Sequence, residues 1–238
     1  MIKKKEDKDN FYLIAEIGHN HQGNLKKAFE LFKAAKESGA HAVKLQKRDN
    51  KRLYTKKFYN KSYDHRNSYG ETYGLHRDAL EFGESEYKEL QNYAKELDID
   101  FFATPFDIWS IEFLEKLEMP FYKIASADLT NHPLQTEIAK LNKKIFLSTG
   151  GGNLDQVKRA KENINKFHND LAILHCTAAY PSPLEDMNLN VVNTYKQNFK
   201  DNVIGLSDHE NGIDAAPIAY LLGARVFEKH FTDDNSRE

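Results

Sequence analysis

The sequence predicts an α/β chain of the (β/α)8 class, a TIM barrel. Three observations carry that reading. Eight short apolar runs recur along the chain, each closes on a polar tip, and amphipathic helical segments lie between them. Strands buried on both faces of a parallel sheet read as near-continuous apolar runs rather than as alternating ones. Eight βα units also suit a chain of 238 residues. An open doubly wound sheet is the alternative, but no run is followed by a glycine-rich dinucleotide fingerprint.

In chain order the predicted strands are Tyr12–Ile17, Ala42–Gln46, Phe101–Phe106, Phe121–Ala125, Ile145–Ser148, Leu171–Cys176, Val203–Leu206 and Ala224–Phe227. Asn24 can cap a helix that places Leu25, Ala28, Phe29, Phe32 and Ala35 on one face, and Gly39 stands where it should end. Asn153 precedes Leu154, Val157, Ala160 and Ile164 in the same way. Ile111, Leu114 and Leu117 stripe a third helix that stops before Pro120. Asp214 to Leu222 reads as the helix joining the last two strands, which makes those strands parallel neighbours.

Two stretches depart from the pattern. The connection from Arg48 to about Gly83 is far longer than an ordinary βα loop and emerges on the face where barrels carry their sites. A lid or substrate loop and a passive insertion are both open readings. After the eighth strand only polar residues follow, Thr232 to Glu238. The closing helix is therefore expected to be absent, which implies a truncated chain or a partner that covers the gap. Residues 1–10 read as a charged tail and residues 11–238 as one barrel domain.

Composition narrows the function classes. Hydrophobic residues make up 40% of the chain, enough for a large core, and 34 basic residues face 36 acidic ones. That balance gives no basis for binding nucleic acid or a membrane surface. No apolar run approaches the roughly 18 residues of a transmembrane helix, and the N-terminus lacks the apolar core of a signal peptide. The single cysteine, Cys176, excludes an intrachain disulfide and fits a reducing cytoplasm.

A barrel gathers its polar tips on one face. The tips here are Glu16, His19 and His21; Lys44 and Gln46; Thr104; Lys123, Ser126 and Asp128; Ser148 and Thr149; His175 and Thr177; Ser207, Asp208 and His209; Glu228, Lys229 and His230. His209 and His230 follow adjacent strands, and two converging imidazoles suggest a divalent metal. Glu16, water or substrate oxygens would complete its shell, a donor set that suits Mn, Co or Zn better than Ca. Lys44 and Lys123 sit inside strands, where an ammonium needs an anion, either a rim carboxylate or a bound ligand. Ser126, Ser148, Ser207 and the amides of Gly150-Gly151-Gly152 are candidates for an oxyanion cradle.

Eight motifs then stand in order along the chain: Ala15-Glu16-Ile17-Gly18-His19-Asn20-His21-Gln22-Gly23, Val43-Lys44-Leu45-Gln46, Ala103-Thr104-Pro105-Phe106, Tyr122-Lys123-Ile124-Ala125-Ser126, Leu147-Ser148-Thr149-Gly150, His175-Cys176-Thr177 with Tyr180-Pro181, Gly205-Leu206-Ser207-Asp208-His209, and Glu228-Lys229-His230-Phe231-Thr232. Together they resemble the sialic acid (N-acetylneuraminate) synthase family across essentially the whole barrel. The resemblance implies condensation of phosphoenolpyruvate with an open-chain N-acetylhexosamine, releasing phosphate and forming a nine-carbon 2-keto sugar acid. It implies Mn2+ on His209 and His230, with Mg2+ or Co2+ as alternatives, and catalytic parts for Glu16, Lys44, Lys123 and Glu228. Thr104, Ser126, Ser148 and Ser207, with the two lysines, would hold phosphoenolpyruvate. Gln46, Asp128, Tyr180 and Asn67 would meet the amino sugar.

Two positions depart from the family, with Asp128 where its members carry Glu and Ala178 where some carry Asn. The family's small antifreeze-like C-terminal domain is expected to be absent as well. The acceptor is therefore open among sialic, legionaminic, pseudaminic and related acids. A homodimer is expected from the resemblance alone. The other readings are a different phosphoenolpyruvate-using sugar-acid synthase on the same barrel, and a truncated barrel that binds phosphoenolpyruvate without turnover.

Overall fold

The computed structural model describes residues 11–234, so the charged tail expected at residues 1–10 lies outside the described residues. Eight strands close into one barrel: β1 (Tyr12–Gly18), β2 (Ala42–Lys47), β3 (Asp100–Pro105), β4 (Phe121–Ile124), β5 (Lys144–Ser148), β6 (Leu171–Cys176), β7 (Val203–Asp208) and β8 (Val226–His230). Neighbours pair in parallel in sequence order, and β8 returns to β1 with Tyr12 opposite Val226. The predicted barrel is the observed fold.

The predicted helix signals act as read. Asn24 caps the helix Leu25–Glu37 by accepting from the Lys27 amide, and Gly39 follows it with φ +86°. Asn153 and Gln156 form a reciprocal capping box on the helix Leu154–Asn165. The helix Ile108–Lys116 ends ahead of Pro120, and Ala215–Leu222 ends on Gly223 in the left-handed region.

The last two strands differ from expectation. They run on through Asp208 and through His230, instead of stopping at Leu206 and Phe227. The ladder continues because Ser207 lies opposite Glu228, Asp208 opposite Lys229, and Glu16 opposite His230. Ser207 and Glu228 find each other inside the barrel and Asp208 pairs with Lys229 on the other face, so polarity does not mark the end of these strands.

Two layers fill the barrel. At the N-terminal end Tyr12, Ile14, Phe102, Phe146, Leu174 and Val226 pack as an apolar plug, with Tyr12 stacked on Phe146 at 6.0 Å and Phe102 at 5.4 Å from Phe146. The Tyr12 hydroxyl leaves the plug as a donor to Asp100 (2.5 Å). Two residues further along the strands the inward positions are Glu16, Lys44, Thr104, Lys123, Ser148, Ser207 and Glu228. Gly205 stands at the level of the plug, opposite Leu174 and Val226, where a Cβ would come within 2.3 Å of the Val226 carbonyl oxygen.

The long connection is folded rather than structureless. It contains the short helices Asn50–Leu53, Lys56–Tyr59 and Tyr73–Ala79 and a bridge between Ser62 and Thr72. Its base is tied to the barrel by Lys47 on Glu81 (3.1 Å) and the Asp49 amide on Asp107 (2.8 Å), and is closed on itself by Asn50 on Asp78 (2.9 Å). Between β7 and β8, Ile213 and Leu221 stay more than four-fifths exposed. Among the described residues no helix is long and apolar enough to cross a membrane.

Phe146→Ala should lower unfolding stability by about 3–5 kcal/mol, because it opens a cavity at the centre of the plug. A fall in the urea midpoint without a change in slope would measure it.

Candidate functional site

The inward polar layer floors a cavity of about 400 Å³ at the C-terminal ends of the strands. Its floor is an ion cluster. Lys44 pairs with Glu16, donates to Thr104 Oγ1 (2.8 Å) and stands 3.8 Å from Glu228. Lys123 lies 3.3 Å from the other oxygen of Glu228, which also accepts from Ser207 Oγ (3.2 Å). Gln46 Nε2 donates to Glu16 Oε1 at 2.6 Å. Both lysines and Glu16 are 3% exposed. Each lysine is thus paired with a carboxylate of the barrel itself.

Burial alone would raise the pKa of Glu228. Lys123 and, after it, Lys44 overcome that effect and hold the carboxyl down at about 2.

Above the floor the wall is divided. On one side Ser148 Oγ is buried and has no hydrogen-bond partner among the described residues. Ser126 Oγ is the acceptor for the Gly150 amide (2.9 Å). The expected cradle of three glycine amides is not formed. The Gly150 amide is spent on Ser126 and that of Gly152 on the Thr149 carbonyl, and only Gly150 reaches the cavity. Gly150 is required there, since a Cβ would come within 2.9 Å of Ser126 Oγ and 3.1 Å of Cys176 Sγ.

On the opposite side His209 and His230 lie with ring centroids 5.6 Å apart, and Tyr180 stacks on His209 at 4.0 Å. His209 Nδ1 is 2.9 Å from the Thr177 carbonyl oxygen, so Nδ1–H is the donor and the lone pair of Nε2 is left free. This is the arrangement that prepares an imidazole for a metal. Glu16, a candidate third ligand, is committed to Lys44 and Gln46. Among the described residues no group of three or more His, Cys, Asp or Glu side chains is arranged to hold a metal ion. The protein therefore offers two imidazoles, a donor set that fits an exchangeable divalent ion completed by oxygen ligands.

The structure brings Glu16, Lys44, Gln46, Thr104, Lys123, Ser126, Ser148, Tyr180, Ser207, His209, Glu228 and His230 to this one cavity. Two of the predicted site residues stand elsewhere. Asn67 lines a neighbouring cavity of about 400 Å³ with His19, Tyr63, His65, Tyr69 and His76, because the folded connection carries it outward. Asp128 ends the 3₁₀ turn Ser126–Asp128, which aims Ser126 and Ala127 at the cavity and leaves Asp128 accepting from Asn131 (2.9 Å). Burial raises the pKa of Asp128, against the hydrogen bond from Asn131.

Other rim residues are structural. His21 stacks on Phe82 at 4.1 Å and is held neutral by burial, its pKa lowered to about 3. His175 bonds the Met187 carbonyl (2.6 Å), and Asp208 pairs with Lys229 (2.6 Å). The sequence reading missed Arg48 and Phe106 as cavity residues, while Ala178, marked there as a departure from the family, does line the cavity. The period of two could have found the first two, since Arg48 continues Lys44 and Gln46, and Phe106 continues Phe102 and Thr104.

Fold and site together define a (β/α)8 chain with a deep polar cavity where barrel enzymes place their chemistry. Its sequence matches the NeuB family model over residues 31–238, and the chain belongs to the NeuB family, that of the sialic acid and related nonulosonate synthases. It is 39% identical over 231 residues to the N-acetylneuraminate-9-phosphate synthase of Drosophila melanogaster, covering 97% of this chain and 62% of that protein. It is 39% identical over 228 residues to the N,N'-diacetyllegionaminic acid synthase of Campylobacter jejuni, covering 94% and 68%. The crystal structure of the sialic acid synthetase of Leptospira borgpetersenii superposes with a TM-score of 0.84 at 29% identity, covering 96% of this chain and 75% of that one. The chain thus spans about three-fifths of the length of the Drosophila relative.

The depressed pKa of Glu228 has a measurable consequence. A carboxylate held low stabilises the fold at every pH above the ordinary carboxylate range, and that contribution is lost as pH falls toward its folded value of about 2. In Glu228→Gln the share of acid sensitivity between about pH 4.5 and pH 2 that comes from this group should vanish. Urea midpoints measured across that range, beside wild type, would show the flatter profile.

Proposed function

We propose that this barrel condenses phosphoenolpyruvate with the open-chain aldehyde of an N-acetylated hexosamine-type sugar, giving a nine-carbon 2-keto sugar acid and inorganic phosphate. The observation that supports it most is the division of one cavity. Buried lysines and an unpartnered Ser148 hydroxyl lie on one side, and His230 with His209, whose Nε2 is free, on the other. Such a cavity suits a polyanion and a carbonyl held face to face.

In this reading Lys44 and Lys123, with Thr104, Ser126, Ser148 and Ser207, bind the phosphate and carboxylate of phosphoenolpyruvate. Glu16 and Glu228 hold the two lysines beside the cavity, and approach of that anion draws them from these carboxylates. His209 and His230 would hold a divalent ion, Mn2+ by family likeness, which supplies Lewis-acid polarisation of the aldehyde. The enol carbon of phosphoenolpyruvate forms the new C–C bond to that aldehyde carbon. Water adds at the cationic carbon left behind, and phosphate leaves with cleavage of its C–O bond. Glu16, which lines the cavity, would take a proton from that water once the bound anion has drawn Lys44 away. Gln46 and Tyr180 would meet the sugar hydroxyls. Relatives of similar identity are named for different products, so which N-acetylated sugar is used is left to experiment.

The test is phosphate release from phosphoenolpyruvate with Mn2+ across a panel of N-acetylated hexosamines and their 6-phosphates, with His209→Ala run in parallel. Sugar-dependent release should fall at least about a hundredfold in the variant, as for loss of a group that binds the metal. Release with no sugar in the panel would sink the proposal.

A further inference from the structure

Arg48 belongs to the cavity wall and has no part in the reading above. It is 9% exposed, and its guanidinium stacks on the Phe106 ring at 3.8 Å. The nearest carboxylate, Glu81, is engaged by Lys47 at 3.1 Å and stands 3.9 Å from Arg48 Nη1, beyond hydrogen-bond range. Nη1 lies 3.4 Å from His19 Nε2. The shortest contact of the guanidinium is to a neutral group: Nη2 donates to Gln46 Oε1 at 2.6 Å. Gln46 in turn donates from Nε2 to Glu16 Oε1, also at 2.6 Å.

A glutamine amide can turn over and exchange its oxygen and nitrogen at little cost when nothing distinguishes them. Here a cation grips the oxygen and a carboxylate grips the nitrogen, so only one orientation satisfies both. A charge-assisted bond on the oxygen also polarises the amide and strengthens the bond it makes through nitrogen. Lysine could not do the same work from this position. The fork of Arg48 reaches Gln46 in the plane fixed by stacking on Phe106, whereas an ammonium is a point charge on a flexible stem.

We propose that Arg48 is a positioning residue: it locks the side-chain amide of Gln46, and through it the geometry of Glu16, for productive seating of the acceptor sugar. The link to the acceptor rests on the function proposed above; the Arg48–Gln46–Glu16 coupling does not.

Two measurements separate those claims. The first uses protein with 15N-labelled glutamine side chains and needs no turnover. The Gln46 NH2 pair, assigned from its absence in Gln46→Ala, should be shifted and slow to exchange in wild type. In Arg48→Lys and Arg48→Met it should move toward the solvent-exposed glutamines. Arg48→Lys keeps the charge and is the deciding variant where Arg48→Met does not fold. An unchanged Gln46 pair in a folded variant would overturn the proposal.

The second is steady-state kinetics with the best acceptor. Arg48→Lys should raise KM for the sugar about tenfold while KM for phosphoenolpyruvate stays within about twofold. In a Gln46→Ala background the same change should cost less than about twofold, because the residue it acts through is gone. Equal losses in both backgrounds, or an equal rise in both KM values, would refute the positioning role. Absence of turnover in wild type would refute the proposed function instead, and the amide spectra would still decide the coupling.

Discussion

The structure depends on one constraint, that four charges stand inside a barrel and must satisfy one another. Lys44, Lys123, Glu16 and Glu228 alternate in sign across the upper layer. Moving each of them out of water costs several kcal/mol, and only close pairing with additional hydrogen bonds offsets it. Thr104, Gln46 and Ser207 supply those bonds. An isolated ion at any of these positions would have no such compensation. The cluster therefore fixes strand register as firmly as the apolar plug beneath it, since a slip of one residue in β2 would turn Lys44 into the apolar shell outside the barrel.

That constraint also explains why the chemistry sits where it does. Along β1, β2 and β8 the inward face changes from apolar to charged within a single two-residue step, at Ile14–Glu16, Ala42–Lys44 and Val226–Glu228. Below that step Tyr12, Phe102 and Phe146 exclude water. Above it the cavity opens, so the ions are shielded from one side only. A field directed upward from a dry floor is stronger than the same charges would make in solvent.

Most of the fold was legible because a barrel strand has a signature that little else shares: a short apolar run, a polar tip and a capped helix, repeated. Asn24 and Asn153 announced their helices through local chemistry alone. The strand-borne site residues were legible for a related reason, since a lysine or glutamate inside an apolar run has few places to go. What could not be read depended on neighbours distant in sequence. The ends of β7 and β8 were set by pairing with each other and with β1, not by their own polarity. The glycine amides after β5 were taken up by Ser126 and Thr149, a matter of turn geometry. Asn67 and Asp128 stand on a folded insertion and on a 3₁₀ turn, whose direction no periodicity predicts.

The same contrast bears on how such a site divides its tasks. Groups on strands are held by the ladder on both sides, so Glu16, Lys44, Lys123, Ser148, Ser207 and Glu228 share one rigid frame. Groups beyond the strand ends, such as Tyr180 and Asn67, stand on loops rather than on the ladder, where a change disturbs the barrel least. A reaction step shared by many substrates is best served by the rigid set, and discrimination between substrates by the adjustable one. Arg48 stands at the junction, one residue past the end of β2 and bonded to its penultimate residue, Gln46. A side chain at that point can pass the geometry of a variable rim to an invariable floor, and its orientation is fixed from both ends, by Phe106 and by the Gln46–Glu16 chain.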